Sequence, residues 1–394
     1  MKTEIVMAVR GELEGNLERT ALAALEETPV RIIQDGTETT IKAIPGAGLF
    51  APWSVPRGPG QARHYGILQS KADIVILTDG HMTFPKGWIA AIVGRLSKKE
   101  HARDLLCFRT QMLGHDFESM GDTVLNGACL RMMTREVCDE YWPISVKWNK
   151  NKSATKKPEP VAAVMGACYA MRREWYFKIG EPLKILEEWG QDEEILSLAC
   201  HLMGGQVILM PQVCGHIYAA PHLGRVESAD RNDLRWSNRR VVVLALPATD
   251  AERKKLLDWM NQTRRIMGDY FKLTDDRIER ISGLREHFLR GKLKWRDLIE
   301  RGIVTQPTEV EQKSYLASSP PAADGRISAP PRTVLSGKTQ IVIRDVEVCD
   351  RCGARDSFVQ TAGRRNTMSF DLAYARCKKC GHKAQIRTKT QKPQ

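Results

Sequence analysis

A short segment after an apolar run has the residue types of a metal site. Asp79, Gly80 and His81 follow the run ADIVILT. In extended backbone Asp79 and His81 lie on the same side, and Gly80 lets the backbone approach a ligand closely. A carboxylate and an imidazole suit a divalent ion such as Mn²⁺, which bridges phosphates and neutralises a leaving nucleoside diphosphate. Taken alone, these residues are more typical of a polar turn, so the prediction depends on the rest of the chain.

The elements that must position Asp79 alternate between strand-like and helix-like patterns over roughly the first 90 residues. The pattern predicts strands at 4–9, 30–33 and 72–77, and helices at 16–27, 58–70 and 87–96. Such alternation is typical of a parallel or mixed α/β sheet flanked by helices. Ligands of these sheets bind at the carboxyl ends of the strands, and both Asp35 and Asp79 follow such ends.

Further along, the pattern predicts strands at 161–169 and 206–210 and helices at 172–180 and 189–203. Charged helical sequence covers about 250–303, and residues 305–337 are rich in Pro, Ser and Ala, which is typical of a linker. We therefore expect a catalytic domain over 1–245, a helical extension over 246–304, a linker over 305–338 and a small module over 339–394.

Ordered motifs along residues 4–245 resemble GT-A glycosyltransferases, and in particular the polypeptide N-acetylgalactosaminyltransferases and family 2 transferases. Asp-Gly-His is followed six residues later by Gly87-Trp88, as in the Asp-x-His metal motif of that family. The later matches are VMGACYAM at 164–171, Arg173-Glu-Trp-Tyr-Phe, Trp189-Gly-Gln-Asp-Glu-Glu, Pro211-x-x-Val-Cys-Gly-His216 and Asn238-Arg-Arg. The resemblance implies a GT-A (Rossmann-like) fold and a UDP-sugar donor.

The resemblance also implies roles for individual residues. Asp79, His81 and His216 would bind Mn²⁺ or Mg²⁺. Asp35 would meet the uracil or ribose, and Arg63 matches an Arg of the helix beside the diphosphate. Trp189 would wall the sugar pocket, and Asp192 would contact the donor sugar or the acceptor.

The acidic pair Asp192-Glu193 departs from the family's Glu-Asn. In the inverting relatives with Trp-Gly-x-Glu-Asp, an acid at this place is the base that deprotonates the acceptor hydroxyl. Either Asp192 or Glu193 fits that catalytic role, and the resemblance leaves retention or inversion of the anomeric centre open. Both are also acids at a helix N-terminus, where the helix dipole alone favours negative charge.

Two Cys-x-x-Cys pairs stand near the C-terminus, Cys349 with Cys352 and Cys377 with Cys380, each followed by Gly. Four thiolates in two such knuckles predict a structural, tetrahedral Zn²⁺ site. Strand-like segments between and after the pairs indicate a small β module, a zinc ribbon, that depends on its metal to fold. The alternative is a redox dithiol, which does not need two matched pairs.

Positive charge is concentrated in the same region. The chain has a formal net charge of +13, and residues 331–394 carry 14 Lys and Arg against 5 Asp and Glu. Basic residues interleaved with aromatic ones predict nucleic-acid backbone binding, for which we name Arg364, Arg365, Lys378 and Lys379. The alternatives are a solubilising tail or a module that docks on protein.

Together the two halves predict an enzyme that glycosylates nucleic acid. Plain DNA bases offer no suitable hydroxyl, whereas 5-hydroxymethylpyrimidines of the bacteriophage type do, so modified duplex DNA is the first predicted acceptor. The second hypothesis is transfer to a protein Ser/Thr, a polysaccharide or a lipid-linked acceptor, and the third is a non-enzymatic DNA-binding protein. MKTEIVMAVRGELEG resembles no signal peptide and no run of about 18 apolar residues occurs, so we expect a cytoplasmic protein with no membrane partner.

Overall fold

The structure is a computed structural model. It describes residues 1–10, 15–36, 41–114, 116–135, 141–149, 156–164, 167–187, 189–217, 228–263, 273–308, 358–367, 370–377 and 383–388. The chain forms two compact units, Met1–Pro321 and Ala322–Gln394, and each is described by itself.

The strands of the first unit lie mainly before residue 218. In chain order they are β1 (Thr3–Val9), β2 (Val30–Gln34), β3 (Gly48–Phe50), β4 (Ile74–Thr78), β5 (Met82–Thr83), β6 (Asp104–Leu113), β7 (Ser119–Leu125), β8 (Ala128–Arg135), β9 (Tyr141–Trp148), β10 (Glu159–Val161), β11 (Cys168–Arg172), β12 (Gln206–Ile217) and β13 (Val304–Thr305).

Helices separate many of these strands and follow the last long one. They are α1 (Asn16–Leu25), α2 (Pro59–Gln69), α3 (Trp88–Leu96), α4 (Arg173–Lys178), α5 (Asp192–Leu202), α6 (Ser228–Ala245), α7 (Asp250–Thr263), α8 (Asp275–Leu289) and α9 (Trp295–Glu300). Short 3-10 helices lie at Lys99–His101 and Pro182–Ile185.

A mixed sheet runs through the first unit. Among the described residues its order is β10-β12-β6-β11-β4-β1-β2-β3, with β5 paired to β12 and β7 to β6. β4, β1, β2 and β3 run parallel, and β11 is antiparallel to both β4 and β6. The predicted α/β fold with a mixed sheet is therefore confirmed.

Alternate residues of the central strands supply a core on each face of this sheet. Val6 of β1 packs in the cluster that includes α2, α5 and α6, whereas Ile5 and Met7 pack in the cluster that includes α1 and α3. The two-residue alternation of an extended strand explains this division. Gly66 of α2 lies so close to Val6 that a Cβ there would clash, which fixes α2 tightly on β1.

In its described residues, the helical segment predicted near 250–303 contains α7, α8 and α9. Helix α8 begins after Thr274, whose hydroxyl accepts the backbone N–H of Arg277 at 3.3 Å. Ile281, Leu284 and Phe288 of α8 are buried in the core cluster that contains α5. The segment therefore shares a core with the sheet.

Two predicted elements differ from the structure. The single strand expected at 161–169 is wrong, because the chain there forms β10 and then, after a bridge between Ala163 and Ala128, the separate strand β11. The helix expected from Trp189 begins at Asp192, since Gly190 and Gln191 have φ of 98° and 74°, which lie outside the helical region.

The second unit contains strands β14 (Phe358–Thr367), β15 (Phe370–Cys377) and β16 (Lys383–Thr388) in its described residues. They form an antiparallel sheet in the order β14-β15-β16. The predicted zinc ligands Cys349, Cys352 and Cys380 lie outside the described residues, and the structure describes only the backbone of Cys377.

Candidate active site

Asp79 and His81 follow the end of strand β4 and therefore lie at the carboxyl edge of the sheet. The residues of β4 are buried throughout, and beyond the end of this strand the backbone N–H of Asp79 donates to the carbonyl of Ala167 at 3.2 Å. Met82 follows His81 and exchanges hydrogen bonds with the Thr20 hydroxyl at 3.0 and 3.1 Å. The backbone around both side chains is therefore fixed by neighbouring elements.

His216 reaches the same place through strand pairing. β5 pairs with β12 so that Met82 lies opposite His216, and the N–H of Ile217 donates to the carbonyl of His81 at 3.2 Å. One ligand atom each from Asp79, His81 and His216 lie within 4.8 Å of one another. The structure thus brings together the three side chains predicted as metal ligands.

Arg63 of α2 links this group to the start of α5. Its guanidinium donates to Asp79 Oδ1 at 2.6 Å and also forms an ion pair with Asp192. Burial lowers the pKa of Arg63, but the neighbouring Tyr169, Asp192 and Asp79 outweigh it and raise the pKa above its ordinary value. Arg63 is therefore a permanent cation between two carboxylates.

Asp79 is held as an anion. Burial raises the pKa of its carboxyl group, but Arg63, the hydrogen bond with His216 and the charge of His81 together bring the pKa well below its ordinary value. His216 Nε2 lies 3.1 Å from Asp79 Oδ2. An ionised carboxylate beside two imidazoles is a donor set that fits a divalent metal ion.

The first turn of α5 carries three consecutive acids in different surroundings. Asp192 is buried, pairs with Arg63 and accepts a hydrogen bond from the Tyr169 hydroxyl at 3.4 Å. Burial and then the charges of Asp192 and Glu194 raise the pKa of Glu193 well above its ordinary value. Of the two acids predicted as the base, Asp192 is therefore linked through Arg63 to Asp79, whereas Glu193 is the one with the raised pKa.

Glu194 is a buried acid that the sequence did not single out. Its Oε1 accepts the backbone N–H of Val146 at 3.0 Å. Burial raises its pKa to about 7, with Asp192 adding to the rise and Val146 and Arg239 opposing it. Neither Glu194 nor Tyr169 has a sequence pattern of its own, although both lie in segments that carried the family resemblance.

Asp35 stands at the end of β2 and organises the loop that enters α2. Its two carboxylate oxygens accept the backbone N–H groups of Arg57 and Gly58 at 2.6 and 2.8 Å. Gly36 has φ of 86°, and a Cβ there would meet Pro56. Asp35 therefore supports the helix that carries Arg63, and its contact with a nucleoside stays a prediction.

Trp189 is 49 % exposed and stands beside Gly190, whose carbonyl accepts a hydrogen bond from Asn238 Nδ2 at 3.0 Å. In the sequence, Asn238 stood out only as the first residue of the Asn238-Arg-Arg motif. Its hydrogen bond to Gly190 shows that this motif lies beside the loop of Trp189. An exposed indole on a fixed loop offers an apolar wall to a ligand.

The predicted nucleic-acid-binding residues lie in the second unit. Arg364 and Arg365 are on strand β14, where the structure describes the backbone alone, and Lys378 and Lys379 lie outside the described residues. Within the part of the chain that the structure describes, no helix has the length and apolar character needed to span a bilayer.

Comparison with known proteins gives no matching family model. The chain is 22% identical over 263 residues to "Probable N-acetylgalactosaminyltransferase 9" of Caenorhabditis elegans, covering 61% of this chain and 44% of that protein. It is 24% identical to "Polypeptide N-acetylgalactosaminyltransferase 10" of Mus musculus over 162 residues, covering 40% and 26%. The chain thus spans less than half the length of these curated relatives.

A third relative is an "Inactive polypeptide N-acetylgalactosaminyltransferase-like protein 5" of Macaca fascicularis, 24% identical over 40% of this chain and 34% of that protein. Among solved structures, GalNAc-T7 with UDP, GalNAc and Mn²⁺ matches with a TM-score of 0.56 and 19% identity, over 77% of this chain and 57% of that one. The fold is therefore GT-A, as the sequence motifs predicted.

Proposed function

We propose that this protein is a metal-dependent glycosyltransferase that uses a UDP-sugar donor. The observation that carries the proposal is the group of Asp79, His81 and His216, with ligand atoms within 4.8 Å of one another, beside the buried cation Arg63. Its position at the carboxyl edge of the sheet is where ligands of open α/β sheets bind. The names of the relatives support the same reaction class.

The residues of the group fit a divalent metal. Two imidazoles and one ionised carboxylate favour Mn²⁺, while the harder Mg²⁺ prefers a set of oxygen ligands. When bound, such an ion neutralises charge that develops on the diphosphate of the leaving nucleotide. Arg63 adds a second positive charge at the same place, since it is fully protonated and held by Asp79 and Asp192.

The neighbouring residues have separate tasks in this proposal. The loop that Asp35 holds would receive the nucleoside, and Trp189 would cover the sugar. Asp192 or Glu193 would take the proton of the acceptor hydroxyl. Asp192 forms an ion pair with Arg63, whereas burial and then the charges of Asp192 and Glu194 raise the pKa of Glu193 well above its ordinary value.

For the acceptor, two classes have separate support. The names of the relatives favour the hydroxyl of a polypeptide Ser or Thr. Residues 331–394 carry 14 basic against 5 acidic residues, which favours DNA that contains 5-hydroxymethylpyrimidines. In this proposal the four cysteines bind Zn²⁺ and the protein acts in the cytoplasm. In that case the target base would have to leave the stack, at a cost of a few kcal/mol.

The test is incubation with UDP-sugars and Mn²⁺ in the presence of three acceptors: a Ser/Thr-rich peptide, plain duplex DNA and duplex DNA with hydroxymethylpyrimidines. Mass spectrometry then locates any added sugar. We expect an adduct on one hydroxyl-bearing acceptor, and none on plain DNA. Absence of both transfer and donor hydrolysis with every sugar would contradict the proposal and favour a non-enzymatic protein.

A further inference from the structure

The loop that carries Trp189 has a conformation that needs outside support. It consists of residues 187–191, of which Glu188 lies outside the described residues, and we refer to it as the Trp189 loop. Gly190 and Gln191 both have positive φ, at 98° and 74°. A non-glycine residue adopts such a φ only where its surroundings impose it, so other elements must hold this loop.

Asn238 of α6 bonds to the loop at two points. Its Oδ1 accepts the backbone N–H of Glu187 at 3.0 Å, and its Nδ2 donates to the carbonyl of Gly190 at 3.0 Å. The side chain is fully buried. One amide therefore spans the loop with its acceptor at one end and its donor at the other.

Arg277 of α8 determines which way this amide points. Its Nη2 donates to Asn238 Oδ1 at 2.9 Å, and its Nη1 donates to the Ser237 hydroxyl at 2.8 Å. Nη1 also lies 3.2 Å from Glu187 Oε2. Because a guanidinium has donors only, it selects the amide oxygen and leaves Nδ2 directed at Gly190.

Helix α6 also acts on the first turn of α5. Arg239, next to Asn238 and fully buried, lowers the pKa of Glu194 through its charge. Two residues before Glu194, Asp192 pairs with Arg63, which in turn pairs with Asp79. Hydrogen bonds therefore link α8 and α6 to the Trp189 loop, and the ion pairs of Arg63 link the start of α5, which follows that loop in the chain, to Asp79.

We propose that Asn238 and Arg277 are positioning residues that set the shape of the sugar side of the donor site. Their hydrogen bonds hold the Trp189 loop, whereas on the predicted nucleotide side Asp35 supports the loop that enters α2. This inference rests on the proposed function for the identity of the ligand. It assigns the helices α6 and α8 a task in discriminating a UDP-sugar from UDP.

The first experiment is hydrogen exchange of the full-length protein without any ligand. Asn238→Asp keeps an acceptor for Glu187 and Arg277 and replaces the amide donor to Gly190 with an oxygen, which in the ionised carboxylate cannot donate, and the new charge lies beside Arg277. We expect exchange of the amides at 189–192 to rise by at least about tenfold, while the amides of α8 keep their rates. Glu279→Gln, at an exposed position of α8, is the matched control and should change neither.

Unchanged hydrogen exchange at 189–192, or an equal rise in exchange in the Trp189 loop and in α8, would contradict the proposal that Asn238 and Arg277 hold this loop. Arg277→Lys is the second variant, which keeps a positive charge near Glu187 and loses the planar fork. We expect a smaller rise in the same loop amides. An absence of any rise in both variants refutes the proposal even if one of them folds poorly.

The second experiment compares binding of UDP and of UDP-N-acetylgalactosamine in the presence of Mn²⁺ by calorimetry. In Asn238→Asp we expect the affinity for UDP to stay within about twofold and the affinity for the UDP-sugar to fall by about tenfold, which is about 1.4 kcal/mol. Equal losses for both ligands contradict the assigned role. If the unaltered protein binds neither nucleotide, the proposed function fails. The exchange experiment still decides whether Asn238 and Arg277 hold the Trp189 loop.

Discussion

The three predicted metal ligands and the Trp189 loop are held in different ways. Asp79, His81 and His216 are placed by backbone pairing, because β5 pairs with β12 and the N–H of Ile217 bonds to the carbonyl of His81. The Trp189 loop is placed by the side chains of Asn238 and Arg277, which come from distant helices. Replacing a predicted metal ligand should therefore reduce metal binding and transfer without changing the backbone. Replacing Asn238 should change the conformation of the Trp189 loop and leave the metal ligands in place.

The largest effect is expected from His81→Ala. Loss of a group that hydrogen-bonds to a metal ligand reduces metal affinity or activity by about 10–100-fold. Loss of the ligand itself should therefore reduce transfer by at least about 100-fold. The strand pairing uses the backbone, so the circular dichroism spectrum should be unchanged. Transfer rate and Mn²⁺ binding are the measurements, with His101→Ala as control. Equal loss of activity in both variants would place the metal elsewhere.

Arg63→Met tests the connection between Asp79 and the start of α5. It leaves two acidic side chains, Asp79 and Asp192, without their cation, and we expect the free energy of unfolding at pH 7 to fall by about 3 kcal/mol. The folded pKa of Asp79 is depressed, so its pairing stabilises the protein above its unfolded pKa near 3.8. That contribution is lost as the pH falls further, through the depressed folded value.

Urea unfolding of both proteins at pH 7 and near pH 3 checks this prediction. The difference between the unaltered protein and Arg63→Met should shrink at the lower pH. A difference that is constant with pH would mean that Arg63 stabilises the fold by packing alone.

Glu194→Gln should give a smaller effect with the opposite pH dependence. The folded pKa of Glu194 is raised to about 7 from 4.5, so the folded state binds the extra proton and the unaltered protein loses stability as the pH rises between these values. The variant cannot titrate and should gain about 1–3 kcal/mol relative to the unaltered protein between pH 5 and pH 8. The attraction between Arg239 and the ionised form of Glu194 lowers the folded pKa and is already included in the value of about 7.

Unfolding curves at pH 5 and pH 8 give this difference, with the exposed Glu174→Gln as the control. If the relative stability of Glu194→Gln does not change between the two pH values, the acid at 194 has no raised pKa.

The smallest stability effect is expected from Trp189→Ala. The indole is 49 % exposed, so its removal should change the free energy of unfolding by less than about 0.5 kcal/mol. Binding of the UDP-sugar should nevertheless weaken by roughly tenfold, since stacked apolar surface is lost. Calorimetric titration with UDP-sugar checks this, and unaltered affinity would remove Trp189 from the sugar pocket.

The sequence was sufficient for the parts of the site that local pattern determines. A continuous apolar strand followed by Asp-Gly-His located β4 and the first two predicted ligands, and motif order added His216. The alternation of strands and helices gave the mixed sheet. The strands and helices depend on neighbours in the chain, which is why they could be predicted, whereas the three metal ligands were predicted through the resemblance to a known family.

The contacts of Arg63 and Asn238 could not be predicted from local pattern. Arg63 pairs with Asp192, 129 positions away, and Asn238 reaches Gly190 across 48 positions. Each depends on how helices pack on the sheet, and neither changes the periodicity of its own segment. The strand expected at 161–169 was wrong for a related reason, because the bridge between Ala163 and Ala128 divides it.

The separation of Asp79 and His216 in the chain has a consequence during synthesis. His216 lies 137 residues after Asp79, so at about 5–20 residues per second it leaves the ribosome roughly 7–27 s later. Until then β5 has no β12 to pair with, and the nascent chain holds only two of the three ligands. A polypeptide stalled before residue 216 would contain most of the central sheet but would not have the complete set of ligands.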